Sequence, residues 1–199
     1  MDRPKTNMGK IHLVETRFKE ILKILGMAET ENTKETPLRV AKMLVNEVCK
    51  NADPESLERL KSQMKLFPNE TQPHKNMVMV RKIAYVSWCL HHFLPFGGYM
   101  NIGYVPDGKV LGLSKFPRVV EHFCKMPQMQ EYLVMDICDF IFDIVGARYV
   151  MVSARAAHAC VACRGIESNC EAVTYFDRHR EAEANYWGTF HALGGFDFG

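Results

Sequence analysis

A cysteine and two adjacent histidines lie close together in one apolar segment, SWCLHHFLPF, residues 87–96. Cys89 and His92 have the two-residue gap that lets a thiolate and an imidazole bind one metal ion, and zinc prefers these donors in tetrahedral geometry. If both bind a metal, His91 is left free to move protons. A buried cysteine beside two hydrogen-bonded histidines would give the same pattern, so this segment alone leaves both interpretations open.

A second Cys/His pair ends the segment RYVMVSARAAHAC, residues 148–160. Apolar residues alternate there with a period of two, which predicts a β-strand. One face of that strand would carry Val150, Val152, Ala154, Ala156, His158 and Cys160. The alternation therefore places His158 beside Cys160 and makes Cys160 the third candidate metal ligand.

The following CVAC leaves two other interpretations of the site open. Cys163 could be a fourth ligand beside Cys89, His92 and Cys160, which would close the site as a structural zinc centre. A redox CxxC is less favoured, because the strand-then-helix context of such motifs is missing. The two histidines not needed as ligands favour an open, hydrolytic metal centre instead.

Composition places the chain among ordinary globular proteins. Its 199 residues are 47% hydrophobic and 24% charged, with a net charge of +2, enough for one sizeable core. No run of Lys or Arg predicts a nucleic-acid or membrane partner. The first residues, MDRPKTNMGK, are polar and no apolar region follows, so we expect a cytoplasmic protein. The seven cysteines are expected to be free thiols.

Four helices are predicted, two near the N-terminus and two in the middle of the chain. IHLVETRFKEILKILGM has apolar residues at helical spacing and ends at Gly26. ETPLRVAKMLVNEV predicts a second helix with Thr36 as N-cap and Pro37 in its first turn. Its predicted buried stripe is Val40, Met43, Leu44 and Val48. Two consecutive helices are predicted further on, one capped by Ser114 and one opening at Pro127 and ending near Gly146.

Strands are predicted before and after that helix pair. MVMVRKIAYVSWC is rich in β-branched and aromatic residues, and YMNIGYVPDGKVLGL predicts a hairpin turning at Pro-Asp-Gly. A last strand is predicted near EAVTYF. The predicted order after the N-terminal helices is therefore strand, strand, helix, helix, strand and a last strand.

Seven short motifs resemble GTP cyclohydrolase I in order and approximate spacing. They are TPLRVAKM, MVMVRKI, CLHHFLPF, IGYVP, GLSKFPRVV, PQMQEYL and HACVACRG. The resemblance runs from about residue 35 to about residue 166. It implies the tunnelling fold, an α+β fold in which an antiparallel sheet is backed by two helices. An N-terminal helical segment, residues 1–73, would then precede the catalytic domain, residues 74–199. The element order above is compatible with this fold. The resemblance also implies a homo-oligomer, commonly a decamer, with active sites between subunits.

The resemblance also implies a reaction and a cofactor. The family hydrolytically opens the imidazole ring of GTP, releases formate and forms 7,8-dihydroneopterin triphosphate, a first step toward folate, biopterin or modified guanine. The implied zinc ligands are Cys89, His92 and Cys160. His91 is implied as the catalytic acid/base, with His158 and Ser114 assisting at the ribose.

Substrate-binding residues follow from the same resemblance. Glu131 is implied as the guanine anchor, since a carboxylate accepts two hydrogen bonds from the base, and Gln130 is implied to assist it. The triphosphate is implied to bind Ser114 and the cations Arg39, Lys42, Lys115, Arg118 and Arg164. Arg39 and Lys42 share one helical face.

Departures from the family pattern keep other functions in view. Leu90 stands where the family usually has an acidic residue, so a carboxylate that would orient the ligands is missing. The tract after Arg164-Gly165 is shortened to IESNCEAVTYF, and NYWGTFHALGGFDFG has no clear counterpart. A non-catalytic or altered-specificity zinc protein of the tunnelling fold is one alternative. A deazaguanine nitrile reductase is a weaker one.

Overall fold

The computed structural model describes residues 6–69, 76–180 and 186–199. By their internal contacts these residues form two units, which divide between Ala52 and Asp53. The predicted domain boundary at residues 73 and 74 lies outside the described residues.

The N-terminal unit is helical, as predicted. Helix α1 spans Asn7–Ile24, and helix α2 spans Thr36–Met43 and continues as a π-helical turn over Leu44–Val48. The small core of this unit consists of Ile11, Ala41 and Val45.

Two details of α2 differ from the prediction. Its N-cap is Glu35 rather than Thr36, although Pro37 does lie in the first turn. Of the predicted stripe only Val48 is fully buried, while Val40 is half-buried. The buried residues are instead Pro37, Ala41, Val45 and Val48, which keep helical spacing but form a stripe displaced from the predicted one.

The second unit contains six strands and five helices within the described residues. The strands are β1 Leu66–Pro68, β2 Val78–Trp88, β3 Pro95–Val105, β4 Lys109–Leu111, β5 Tyr149–His158 and β6 Glu171–His179. The helices are α3 Ser56–Ser62, α4 Lys115–Cys124, α5 Gln130–Val145, α6 Ala159–Ala162 and α7 Tyr186–Ala192.

The main sheet is antiparallel, with strand order β2-β3-β5-β6, and a separate two-stranded sheet pairs β1 with β4. The predicted hairpin at Pro-Asp-Gly is therefore wrong. Strand β3 already has β2 on one edge and β5 on the other, so the chain after Pro106 continues to β1 instead of folding back on β3.

Helices α4 and α5 cover one face of this sheet and form the core with it, which confirms the predicted α+β arrangement. Ser114 is the N-cap of α4, but its side chain makes no capping hydrogen bond. Helix α5 begins at Gln130, three positions after the predicted Pro127, and ends where predicted at Gly146, whose φ of +67° suits glycine.

The C-terminal segment packs on the opposite face of the sheet. Phe190 of α7 is fully buried there. Beyond α7, the Asn101 side-chain amide donates to the carbonyls of Gly195 (3.0 Å) and Asp197 (3.1 Å), and the Ser153 hydroxyl also donates to Gly195. These bonds hold the C-terminal tail against the centre of β3 and β5.

All seven cysteines are free thiols, as predicted. Over the described ranges, none of the helices combines the length and apolar character that crossing a bilayer requires.

Candidate metal centre

The segment that carries the first Cys/His pair is a tight reversal between β2 and β3. The Cys89 N–H donates to the Leu94 carbonyl (2.8 Å), and the Phe93 N–H donates back to the Cys89 carbonyl (2.9 Å). Phe93 closes the reversal in the left-handed region, with φ +52°, a conformation that costs a non-glycine residue roughly 1–3 kcal/mol. The reversal leaves Cys89 buried and both histidines exposed.

This reversal is also held from outside by Gln128, in the connection before α5. The Gln128 N–H donates to the Trp88 carbonyl (2.8 Å), and its carbonyl accepts from the Leu90 N–H (3.3 Å). Leu90 itself is 50% exposed. These backbone bonds therefore hold the segment that carries Cys89 and His92. Leu90 lies within that segment and offers no carboxylate that could orient the ligands.

The second Cys/His pair lies at the C-terminal end of β5, beside the start of β3. Antiparallel pairing of β3 with β5 places Phe96 opposite His158, the last residue of β5. Cys160 does not continue the strand, as the alternation predicted, but lies in the one-turn helix α6. A sequence alternation does not mark where hydrogen bonding to the partner strand stops, and here it stops at His158.

Three candidate ligands converge through this arrangement. The Sγ atoms of Cys89 and Cys160 and a ring nitrogen of His92 all lie within 4.8 Å of one another. The Cys89 Sγ is 3.7 Å from the His92 Nδ1. A tetrahedral zinc ion with ordinary bond lengths would place such a sulfur and nitrogen about 3.6 Å apart. The spacing of these donor atoms therefore fits a zinc ion, and Cys163 is not in the group.

The electrostatics of the two thiols also suit a cation. Burial raises the pKa of the Cys160 thiol, and its hydrogen bond and charge interaction with Cys89 raise that pKa further. Two neighbouring thiolates repel each other, whereas a bound metal ion stabilises both. This donor set can therefore hold a metal.

His91 lies beside the three donors without belonging to them. Its Nδ1 is 4.0 Å from the Cys89 Sγ, and its ring centroid is 6.2 Å from that of His92. The side chain is exposed, so it can reach a ligand in the adjoining cavity.

His158 is held more tightly than His91. Its Nε2 is 2.7 Å from the Gln130 Oε1, and its ring stacks on Phe96 with 4.6 Å between centroids and an interplanar angle of 0°. Burial lowers the pKa of His158, and the negative charge of Glu131 acts in the opposite direction. Glu131 therefore lies close enough to act on this ring.

A cavity of about 190 Å³ brings these side chains together. It is lined by Cys89, His91, His92, Phe96, Gln128, Met129, Gln130, Glu131, His158 and Cys160. The candidate ligands, both remaining histidines and Glu131 thus share one concave site. Such a site offers metal binding, proton transfer and a carboxylate for a polar ring.

The other predicted substrate residues are placed less centrally. In the part of the chain that the structure describes, Ser114, Lys115 and Arg118 do not line this cavity. Arg164 is close enough for its charge to lower the pKa of Cys160. Arg39 and Lys42 belong to the N-terminal unit, where Arg39 pairs with Glu35 at 2.8 Å.

Sequence reasoning missed three residues that hold the site. Phe96 stacks on His158, Gln128 bridges to Cys89, and Thr174 accepts from the Gln130 amide at 3.0 Å. Phe96 and Gln128 do stand inside the quoted motifs CLHHFLPF and PQMQEYL, which was an available signal. Nothing in the sequence pattern marks Thr174.

The family model and the similar sequences point to one family. The family model described as GTP cyclohydrolase I matches residues 14–185. GTP cyclohydrolase 1 of Aeromonas salmonicida (strain A449) is 36% identical over 157 residues, covering 77% of this chain and 68% of the relative. GTP cyclohydrolase 1 of Streptococcus pneumoniae (strain Hungary19A-6) is 37% identical over 154 residues, covering 77% and 80%.

A solved structure of an apo archaeosine synthase, QueF-Like, also aligns. It covers 50% of this chain and 91% of its own, at 20% identity and a TM-score of 0.39. A score this low assigns neither fold nor function.

Proposed function

Because the chain belongs to the GTP cyclohydrolase I family, we propose that its Cys89, His92 and Cys160 cluster is the zinc centre of a GTP-opening hydrolase. The reaction takes GTP and water to formate and 7,8-dihydroneopterin triphosphate. The convergence of this donor group with two further histidines and Glu131 in one cavity carries the proposal. The antiparallel sheet backed by α4 and α5 is the tunnelling fold of this family.

Cys89, His92 and Cys160 would hold the zinc ion. Bound there, it would supply Lewis-acid chemistry that makes hydroxide available near neutral pH. The buried Cys89 and the β5–α6 junction at Cys160 come from different parts of the sheet. Folding of the sheet therefore brings the donor atoms together, and the backbone hydrogen bonds of Gln128 hold the segment around Cys89 in place.

His91 is the proton donor of the proposed reaction. Opening the imidazole ring of GTP moves electrons onto a purine nitrogen, which must be protonated as the ring carbon–nitrogen bond breaks. His91 is exposed and lies next to the donor group without belonging to it. A histidine at that position can give up its proton without disturbing metal binding.

Glu131 is the proposed guanine anchor. It lines the cavity from the first turn of α5. A carboxylate there can accept hydrogen bonds from the ring N–H and the exocyclic amine of guanine, which adenine cannot offer in the same geometry. The substrate contact predicted for Gln130 remains a prediction.

The triphosphate is proposed to bind the predicted cations, in a site to which a second subunit contributes residues. The cavity of about 190 Å³ in one chain is smaller than the roughly 300–1,000 Å³ typical of ligand sites. Of the predicted cations, Lys115, Arg118 and Arg164 do not line that cavity over the described residues. A site completed by Ser114 and phosphate-binding cations of a neighbouring copy would supply both the missing volume and the missing charge.

The proposed activity predicts a specific pair of products. The zinc-loaded protein incubated with GTP is expected to release formate and to form a pterin that fluoresces after oxidation. ATP should give neither product, because it cannot pair with Glu131. Formate assay and chromatography of the oxidised mixture measure both products. Zinc binding without any GTP turnover would leave a non-catalytic zinc protein as the function.

A matched pair of variants on α5 examines the guanine anchor within that assay. Glu131→Gln removes the charge of one hydrogen-bond acceptor, so we expect KM for GTP to rise about 10- to 100-fold. Asp143→Asn makes the same chemical change at an exposed position of the same helix outside the cavity, and KM should stay unchanged. Equal changes of KM in both variants would show that Glu131 does not bind the guanine base.

The two-subunit site predicts a large symmetric assembly. We expect light scattering to give a closed homo-oligomer, with a decamer as the predicted size, and we expect turnover to belong to that species. Dilution that dissociates the assembly should remove activity together with it. A monomer with full activity would contradict both the shared site and the proposed oligomer.

A further inference from the structure

The environment of Gln130 differs from that of an ordinary substrate contact. The residue opens α5 and lines the cavity, but its side chain is only 2% exposed. Its Nε2 lies 3.2 Å from the Ala154 carbonyl, 3.2 Å from the Ala172 carbonyl and 3.0 Å from the Thr174 Oγ1. The amide hydrogens are therefore directed at β5 and β6 of the protein itself.

These neighbours determine which way the Gln130 amide faces. Backbone carbonyls only accept hydrogen bonds, so the group facing Ala154 and Ala172 must be the NH₂. Turning the amide over would place its oxygen against two carbonyl oxygens and lose both bonds. The Oε1 atom is thereby fixed toward His158, at 2.7 Å from its Nε2.

The fixed amide in turn determines the hydrogen position on His158. An amide oxygen cannot donate, so the His158 Nε2 must carry the hydrogen of this bond. A neutral imidazole has a single N–H, which leaves Nδ1 as its basic atom. The Phe96 ring, stacked parallel to the imidazole with 4.6 Å between centroids, keeps it from rotating out of this bond.

We propose that Gln130 is a positioning residue that holds His158 in the Nε2–H tautomer, with Nδ1 left as the hydrogen-bond acceptor of the ring. The inference deepens the proposed function, because His158 lines the same cavity as the candidate zinc ligands. In this role Gln130 acts on GTP only through His158. Its removal should therefore slow turnover without weakening GTP binding.

The tautomer can be observed directly in the intact protein. Histidine labelled with ¹³C and ¹⁵N in the zinc-loaded protein gives imidazole chemical shifts that distinguish the two tautomers. The His158 signal is the one that disappears in His158→Asn. We expect the Nε2–H form at alkaline pH, where the free ring is neutral. An Nδ1–H form would overturn the proposal, whether or not the protein turns over GTP.

One variant then connects the tautomer to the rate. Gln130→Met keeps the approximate volume but removes both the donor and the acceptor, so we expect kcat to fall about 10- to 100-fold, as for other orienting partners. KM for GTP and zinc content should be unchanged, and the His158 shifts should move away from the pure Nε2–H values.

Each other outcome decides against the positioning role. A raised KM with normal kcat in Gln130→Met would mean a direct guanine contact, and normal values of both would mean no role in turnover. If that variant does not fold, the tautomer in the unmodified protein still decides. Absence of turnover in the unmodified protein would refute the proposed function and leave the tautomer assignment standing.

Discussion

Replacing His92 by alanine is expected to release zinc and abolish turnover, whereas replacing His91 by alanine is expected to leave zinc bound and lower kcat about 10²- to 10⁴-fold. His92 shares the donor group with Cys89 and Cys160, so its loss removes one of three protein ligands. His91 lies outside that group, so its loss removes a proton donor only. Metal analysis and steady-state kinetics on both proteins measure the difference.

GTP binding serves as the control for this pair. Neither substitution touches Glu131 or the proposed phosphate cations, so His91→Ala should bind GTP as tightly as the unmodified protein. Retention of zinc by His92→Ala together with its loss from His91→Ala would reverse the assignment. The Nδ1 atoms of His92 and His91 lie 3.7 Å and 4.0 Å from the Cys89 Sγ. Because these distances are so similar, the two variants test an assignment that distance to Cys89 alone does not make.

Cys160→Ala is expected to lose zinc and all measurable turnover, while Cys163→Ala is expected to keep both. The two residues stand three positions apart around α6 and invite the same substitution. Cys160 contributes its Sγ to the donor group, whereas Cys163 caps the C-terminal end of α6, is exposed and lies outside that group. About one zinc per chain should remain in the Cys163 variant.

Metal content measured at equal protein concentration checks this pair, and Cys89→Ala should repeat the result of Cys160→Ala. Loss of zinc from Cys163→Ala would revive the closed site with four protein ligands. Such a site has no coordination position for water, so that outcome would also refute the hydrolytic function.

Features that depend on neighbouring residues in the chain could be predicted from the sequence. The presence of helix α1, the end of α5 at Gly146 and the β-branched run of β2 are of this kind, because local sterics and residue propensities determine them. The spacing of Cys89 and His92 is local too, and the structure does bring their donor atoms together.

Features that depend on distant partners were settled only by the tertiary structure. The sequence predicted a hairpin after β3, but β4 pairs with β1 because both edges of β3 are occupied by longer strands. The sequence placed Cys160 on the face of β5, but the strand ends at His158, where pairing with β3 stops.

The hydrogen bonds around His158 show the same division most clearly. The sequence by itself determined which residue types were available, including a histidine, a glutamine and a threonine far apart in the chain. Only the packing of α5 across β5 and β6 decided that Gln130 would face two carbonyls, Thr174 and His158. An amide has donors on one side and an acceptor on the other, so its orientation, and with it the hydrogen position on His158, depends on groups that folding brings together.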